Sequence, residues 1–195
     1  CEIEINILNE PIGKQDQYGA AIGGFKQIKF HQDETVEIIP LNVSRKFIRA
    51  FEATICLYFT GDKRSASSIL NEQKINMVKE DKLSMLREMV GLTKDFRDAL
   101  LKEDLNVVGQ LLDYNWKLKK QLASNISNQD IDLMYQLALS KGAIGGKLLG
   151  AGGAGFLMIM AFDHKPIENV LKCKSIGLKI DNSGTKIICT ENGDA

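Results

Sequence analysis

The apolar positions change their spacing twice along the chain, and they divide it into a strand-rich beginning, a helical middle and a mixed end. In residues 25–30 and 34–39 apolar and polar side chains alternate, which predicts a β-hairpin. Residues 51–59 are rich in β-branched and aromatic side chains, which predicts a further strand. Before these strands, residues 1–8 are typical of the end of a helix, and residues 16–22 are predicted to form a short second helix.

The middle of the chain is predicted to be a block of helices. Between Ser65 and Ser140 apolar residues recur every three to four positions, which is the spacing of helices with one buried face. Residues 127–130 resemble an N-cap with an acid in the first turn of the last helix, and Gly142 is expected to stop that helix. Trp116 is expected in the core rather than in a stacking platform. The predicted helices span residues 65–76, 79–102, 105–122 and 128–141.

The end of the chain combines a glycine-rich segment with a very apolar one. Residues 156–161 are uniformly apolar and predict a strand that is buried on both faces. A helix over residues 166–174 and two strands over 178–182 and 185–190 are expected to follow. Strands, a helical block and a βαββ ending together predict an α+β fold with helices on one side of an antiparallel sheet.

The composition excludes some classes of protein. The 195 residues include 25 Lys and Arg and 25 Asp and Glu, so the basic excess of a nucleic-acid binder is missing. No apolar run approaches the ~18 residues of a membrane span, and no signal peptide is visible, so we expect no membrane association. The four cysteines form no Cys-x-x-Cys motif, which favours the cytoplasm. Because Cys1 lies inside a predicted helix, we expect that the natural N-terminus is missing.

The first candidate for chemistry is Asp16, at the predicted start of the short helix. A carboxylate in the first turn of a helix is stabilised by the helix dipole, and Lys14 lies two residues before it. An ionised aspartate beside a cation can accept a proton from an alcohol or orient the alcohol for attack. The alternative is that Asp16 only caps the helix, as aspartates commonly do.

The second candidate is a glycine-rich loop, formed by Gly150, Ala151, Gly152, Gly153, Ala154 and Gly155. Backbone N–H groups in such a loop can surround an anion. The loop is not a Walker A loop, because Lys147 precedes the glycines and no Gly-Lys-Ser/Thr follows them. The alternative is close packing of backbone between a helix and a strand.

The third candidate lies at the end of the strand over residues 51–59 and consists of Thr60, Arg64, Ser65 and Ser67. An arginine and serine hydroxyls at the start of a helix are suited to a phosphate or a sugar hydroxyl. The alternative is a surface loop that leads into a serine-capped helix.

Taken in order, these motifs resemble those of the GHMP kinase superfamily, named after galactokinase and the homoserine, mevalonate and phosphomevalonate kinases. The segment Gly13-Lys14-Gln15-Asp16-Gln17-Tyr18 is similar to the family's Gly-x-x-Asp-Gln segment, and residues 147–155 are similar to its third glycine motif. The family's first motif and its second, a Gly-Leu-Gly-Ser-Ser phosphate loop, have no counterpart in this sequence. By resemblance the chain is the C-terminal portion of such a kinase, with half of the nucleotide site outside it.

Within the superfamily the chain resembles the branch of the D-glycero-D-manno-heptose 7-phosphate kinases. Residues 18–25, the turn over residues 59–64 and the helix around Trp116 recur there in the same order. The resemblance covers about residues 1–190. It implies transfer of the γ-phosphoryl group of ATP, with Mg²⁺, to a sugar hydroxyl, in a pathway to activated heptose for bacterial surface polysaccharide.

The resemblance also implies roles for individual residues. Asp16 would accept or orient the acceptor proton, Lys14 would hold Asp16 ionised, and Glu4 matches the glutamate that acts on Mg²⁺, with Glu2 as a second match. Arg64, with Ser65 or Ser67, would bind the phosphate already on the sugar, and residues 150–155 would form the wall between acceptor and nucleotide. The other implied substrate-binding residues are Gln17, Tyr18, Gly23, Gly24 and Thr60.

For the fold, the resemblance implies a ferredoxin-like C-terminal domain over residues 46–195 and the end of an S5-like N-terminal domain over residues 1–45. The implied partners are ATP and a sugar phosphate, and a homodimer is left open. Little kinase activity is expected of these 195 residues alone. Two alternatives stay open: a GHMP kinase for fucose, mannose or galactose, which would not require Arg64, and a non-catalytic sugar-binding relative.

Overall fold

The computed structural model describes residues 1–10, 12–61 and 66–186, with the backbone only for residues 66–68. The chain divides into two compact units. The first comprises Cys1–Val43 and Lys179–Ala195, and the second comprises Ser44–Leu178. The assignment of residues 1–45 and 46–195 to two kinase domains stays a prediction.

The first unit is built from two short helical segments and a hairpin. A π-helical turn over Glu2–Ile7 precedes helix α1, Gln15–Ala21. Strands β1, Lys26–Phe30, and β2, Val36–Pro40, pair antiparallel. The predicted hairpin and short helix are thereby confirmed.

The second unit contains a four-stranded sheet in which every neighbouring pair is antiparallel. Its strands are β3, Ile55–Phe59, β4, Ala143–Leu148, β5, Phe156–Ala161, and β6, Ile176–Gly177. They lie in the order β4-β5-β3-β6. Because helices separate β3 from β4 and β5 from β6, the chain follows the βαββαβ path of ferredoxin-like folds. The predicted α+β class is confirmed.

The helices of the second unit, in the part that the structure describes, begin where side chains cap their first N–H groups. The Ser44 hydroxyl accepts a hydrogen bond from Phe47 N–H at 3.0 Å, and Asn128 Oδ1 accepts one from Ile131 N–H at 2.9 Å. The cap predicted within residues 127–130 is confirmed, and Asn128 forms it. The helices are α2, Arg45–Thr54, α3, Ala66–Asn76, α4, Glu80–Leu101, α5, Leu105–Lys120, α6, Gln129–Ser140, and α7, Lys165–Leu171.

The core of the second unit lies between one face of the sheet and the helices. Trp116 and Tyr58 are completely buried in it, which confirms the prediction for Trp116. In β5 the alternating Leu157 and Ile159 are fully buried, whereas Phe156 and Met158 are half-buried. The opposite face of this strand is therefore covered only near its end, where Met160 is buried, and not along its whole length as predicted.

Three of the predicted element assignments are wrong. Residues 51–54 form the last turn of α2 rather than the start of a strand, because Phe51 and Thr54 continue the apolar face that begins at Phe47. Strand β4 was not predicted, because its glycines were assigned to the loop that follows. Residues 178–182 form no strand, and β6 precedes them. Of the predicted strand over 185–190, the last four residues lie outside the described part of the chain.

Candidate functional site

Asp16 lies in the first turn of α1, which begins at Gln15. The cap position is held by Lys14, whose side chain makes no capping hydrogen bond, so the alternative that Asp16 is the N-cap is wrong. The Asp16 side chain is exposed, and the described residues offer its carboxylate no hydrogen-bond partner. The carboxylate is therefore accessible beside the N–H groups of a helix start, where negative charge is favoured.

Two side-chain contacts connect this first turn with its surroundings. The Lys14 ammonium lies 3.5 Å from the Glu34 carboxylate, which is 86% exposed. The Gln17 side-chain amide donates a hydrogen bond to the Glu4 carboxylate. Glu4, for which the resemblance implies a role at Mg²⁺, thus contacts the helix that carries Asp16.

A cavity of about 440 Å³ opens beside Lys14. Its walls come from the start of α1 and from the turn between β1 and β2, and consist of Gly13, Lys14, Gln15, Phe30, His31 and Glu34. The volume falls within the range of roughly 300–1,000 Å³ that small-molecule sites occupy. An aromatic ring, an imidazole, a carboxylate and an ammonium group together suit a ligand with an apolar face and several hydroxyls.

Sequence reasoning did not find the hairpin side of this cavity. Phe30, His31 and Glu34 belong to the predicted hairpin, yet nothing in their spacing connects them with Asp16. The hairpin brings them to the start of α1, where Phe30 contacts the Tyr18 ring edge-on at 5.8 Å between centroids. An aromatic residue next to a polar hairpin turn is the signal that would have marked them.

Gly23 and Gly24 have a packing role in the first unit. Gly24 N–H donates a hydrogen bond to Asp181 O at 2.7 Å, and a Cβ atom at Gly23 would lie 2.4 Å from the carbonyl carbon of Asn182. Glycine is needed there because backbone approaches backbone. The predicted roles of Gly23, Gly24 and Tyr18 in substrate binding stay predictions.

The glycine-rich loop connects β4 with β5 as an antiparallel hairpin. Leu148 pairs with Leu157, and Leu149 N–H donates to Phe156 O at 3.0 Å. Between these residues, four glycines have positive φ angles, namely Gly150, Gly152, Gly153 and Gly155. The N–H groups of Gly150, Ala151, Gly152 and Ala154 have no hydrogen-bond partner among the described residues.

Thr60 binds the end of this loop. Its hydroxyl accepts a hydrogen bond from Gly155 N–H at 3.0 Å, and Thr60 N–H donates to Gly155 O at 2.9 Å. The structure thus brings Thr60 and the glycine-rich loop together, and the role of Thr60 in substrate binding stays a prediction. Arg64 and Ser65 lie outside the described residues, as does the side chain of Ser67.

Two polar side chains lie on or beside β4, the strand that leads into the glycine-rich loop. Lys147, on β4, has its pKa lowered by burial, and its Nζ lies 3.5 Å from Asn115 Oδ1 on α5. The Tyr135 hydroxyl donates a hydrogen bond of 2.7 Å to Asp113. Burial, and then the Asp113 carboxylate, raise the pKa of Tyr135.

A search of the described residues for metal-binding clusters finds no group of three or more His, Cys, Asp or Glu side chains. In the same part of the chain, no helix is both long and apolar enough to cross a membrane.

Comparison with known proteins places most of the second unit in a family. Residues 96–173 match the family described as GHMP kinases C terminal. Residues 96–173 are thus similar to the C-terminal domain of GHMP kinases. The match to this GHMP kinase domain runs from α4 to the residues after α7 and includes the glycine-rich loop, whereas Asp16, Lys14 and the cavity lie outside it.

Individual relatives of the GHMP kinase domain are similar over most of the chain. The D-glycero-alpha-D-manno-heptose 7-phosphate kinase of Campylobacter jejuni is 32% identical over 187 residues, which cover 95% of this chain and 55% of that protein. The bifunctional fucokinase/GDP-fucose pyrophosphorylase of Arabidopsis thaliana is 30% identical over 162 residues, 81% of this chain and 15% of that protein.

A solved relative of the GHMP kinase domain has a similar fold. The crystal structure of a D-glycero-D-manno-heptose 1-phosphate kinase from Bacteroides thetaiotaomicron superposes with a TM-score of 0.59 at 28% identity, covering 95% of this chain and 53% of that one. The chain thus spans about half the length of the heptose kinases it matches.

Proposed function

We propose that this chain is part of an ATP-dependent sugar kinase whose acceptor is D-glycero-D-manno-heptose 7-phosphate. The observation that supports the proposal is the cavity beside Lys14, whose lining suits a sugar and includes Gln15, the first residue of the helix that carries Asp16. The similarity to the Campylobacter heptose 7-phosphate kinase over 95% of the chain supports this acceptor. We propose the cytoplasm, where ATP is available, as the place of the reaction.

In the proposed reaction the oxygen of a sugar hydroxyl attacks the γ-phosphorus of ATP, the bond to the β-phosphate oxygen breaks, and ADP leaves. The exposed Asp16 carboxylate accepts the hydroxyl proton as the new bond forms. Lys14, two residues earlier, attracts the oxygens of the transferred phosphoryl group. Its ion pair with the exposed Glu34 is a weak competitor, since such pairs contribute about 0–1 kcal/mol.

Glu4 fits a Mg²⁺ site only in part. Protein sites for Mg²⁺ typically supply one or two carboxylates, and substrate phosphates and water complete the octahedron. Glu4 is exposed, and its contact with Gln17 holds it beside α1, so it suits the role of such a carboxylate. The ion would neutralise phosphate charge during transfer.

Arg64, together with Ser65 or Ser67, is proposed to bind the phosphate that the acceptor already carries. A guanidinium group binds two phosphate oxygens at once, which a sugar without phosphate does not require. Arg64→Ala should therefore raise KM for heptose 7-phosphate. Unchanged KM would remove Arg64 from the acceptor site.

The proposal is tested with the natural protein that contains this sequence, supplied with ATP, Mg²⁺ and heptose 7-phosphate. Asp16→Asn should lower kcat by roughly 10²- to 10⁴-fold, because the general base is lost while the side chain keeps its size. Asp130→Asn is the matched control, because Asp130 is also exposed and is also the second residue of its helix, α6. Wild-type turnover in the Asp16→Asn variant would refute the role of Asp16.

The second candidate is a kinase for an unphosphorylated sugar, which the 30% identity to the Arabidopsis fucokinase favours. Turnover of fucose, mannose or galactose with a higher kcat/KM than heptose 7-phosphate would establish it. If neither heptose 7-phosphate nor any of these three sugars is turned over, the third candidate, a non-catalytic sugar-binding protein, is favoured.

A further inference from the structure

Three helices of the second unit each provide a side chain that binds a carbonyl oxygen of the glycine-rich loop. From α3, Gln73 Nε2 donates to Ala151 O at 3.3 Å. From α5, Lys119 Nζ donates to Gly150 O. At the start of α6, Asn128 Nδ2 donates to Gly153 O at 3.4 Å.

These contacts decide which backbone groups of the loop stay available. The carbonyl oxygens of Gly150, Ala151 and Gly153 are occupied, whereas the N–H groups in the same peptide groups, those of Ala151, Gly152 and Ala154, have no partner among the described residues. A peptide group whose oxygen is held has a fixed orientation, because the bond is planar and the N–H of the next residue points the opposite way. Occupied oxygens therefore fix the directions of N–H groups that can donate hydrogen bonds to an anion.

We infer that Gln73 and Asn128 are positioning residues that hold the glycine-rich loop so that its free N–H groups bind a phosphate of the nucleotide. The inference rests on the proposed kinase function for the identity of the anion. Both side chains are neutral amides that act through the loop backbone. The Lys119 ammonium lies next to Gly150, and its positive charge also favours an anion there.

Asn128 allows the positioning role to be separated from a purely structural one. Its Oδ1 caps α6 by accepting from Ile131 N–H, while its Nδ2 holds Gly153 O. Asn128→Asp keeps an oxygen for the cap, since aspartate and asparagine cap about equally well. The same change replaces the donor toward Gly153 by an oxygen, so the loop contact is lost while α6 stays capped. Asn128→Ser removes the donor without adding charge and also keeps a cap.

Gln73→Glu removes the second donor in the same way, and Gln121→Glu is its matched control. Gln121 is exposed at the end of α5, and its Nε2 binds Lys117 O, not the loop. In the natural protein, Asn128→Asp, Asn128→Ser and Gln73→Glu should each raise KM for ATP by roughly three- to tenfold, the effect of one lost hydrogen bond. KM for the sugar and the urea midpoint of unfolding should stay at the wild-type values, and Gln121→Glu should change none of them.

The outcomes separate this inference from the proposed function. An active wild-type enzyme whose KM for ATP is unchanged in all three variants would overturn the inference and leave the kinase intact. An inactive wild-type protein would refute the kinase, and the inference is then decided by NMR of the loop amides with pyrophosphate as the probe. Saturable shifts at Ala151, Gly152 and Ala154 that the Asn128→Asp variant lacks would support it. Their absence in the wild type would overturn it.

Discussion

Replacing Gly152 by alanine should destabilise the second unit more than the same change at Gly155, although both residues have nearly the same φ angle. Their φ angles are +116° and +117°. A Cβ atom at Gly152 would lie 2.8 Å from both the Cα and the carbonyl oxygen of Ile126, whereas at Gly155 it would meet nothing within 4 Å. Comparing the two variants therefore separates the free-energy cost of the positive φ angle from that of the contact with Ile126.

The expected losses of folding free energy follow from the φ angle, which the two positions share, and from the contact, which only Gly152 has. An alanine held at such a φ angle costs about 1–3 kcal/mol at either position. At Gly152 the contact with the Ile126 backbone adds about 1–3 kcal/mol, because neither chain segment can move away without breaking the 2.9 Å hydrogen bond from Gly153 N–H to Ile126 O. With a urea dependence of about 1–3 kcal/mol per molar, the unfolding midpoint of Gly152→Ala should lie roughly 1 M below that of Gly155→Ala.

The assay is urea unfolding followed by tryptophan fluorescence. Trp116 is the single tryptophan of the chain and is completely buried in the second unit, so its emission reports on the unfolding of this unit. Gly91→Ala is the control, since Gly91 is exposed within α4 and has no steric neighbour, and alanine there should stabilise by about 0.5–1 kcal/mol. Equal midpoints for the Gly152 and Gly155 variants would refute the argument from the Ile126 contact.

Two further predictions concern ionisable side chains whose pKa is raised by burial, a tyrosine and two cysteines. Because burial and Asp113 raise the pKa of Tyr135, its phenol stabilises the folded state fully below the ordinary value of about 10, and this contribution is lost as the pH rises above it. Tyr135→Phe should therefore flatten the fall in urea midpoint above about pH 10, and an unchanged slope would contradict this. Burial also raises the pKa of Cys56 and Cys173, whereas Cys1 is exposed. In a Cys189→Ser background a thiol reagent at about pH 8 should modify Cys1 first and the half-buried Cys56 and Cys173 more slowly, and equally rapid modification of all three in the folded protein would contradict this.

The elements that could be predicted from the sequence are those in which the apolar spacing and the end signals agree. The helix predicted over 79–102 is α4, Glu80–Leu101, and the one predicted over 128–141 is α6, Gln129–Ser140. In α6 the cap residue, Asn128, and the acidic first turn mark the start independently of the apolar residues. Because these two signals agree, the predicted start of α6 lies close to the observed one.

The missed elements are those where local preference and tertiary packing disagree. Residues 51–59 have the composition of a strand, but Ser44 caps a helix and Phe47 and Phe51 extend its buried face, so the helix continues to Thr54. Strand β4 contains Gly145, a weak strand former, because a Cβ atom there would lie 1.9 Å from Gly109 O on α5. Neither contact is visible from neighbouring residues in the sequence.

The candidate site was predicted in the same uneven way. The motif around Asp16 and the glycine-rich loop could be recognised because each is one continuous segment. The hairpin wall of the cavity and the anchors of the loop, such as Gln73 and Asn128, could not, because they join these segments only through long-range contacts. Side chains that hold a site in place from other helices or strands leave no recognisable pattern in the segments that form the site.

The close approach of Gly109 and Gly145 also protects the sheet against pairing with foreign chains. Strand β4 lies at one edge of the sheet, and an uncovered edge is a template on which another strand can be added. Helix α5 lies directly against β4, and the Tyr135 hydroxyl is 3.4 Å from the carbonyl oxygen of Gly146. At the opposite edge β6 has only two residues in the described part of the chain, too few to hold an added strand. Replacing Gly109 by a larger residue would push the helix away from β4, and the first effect we expect is aggregation of the protein.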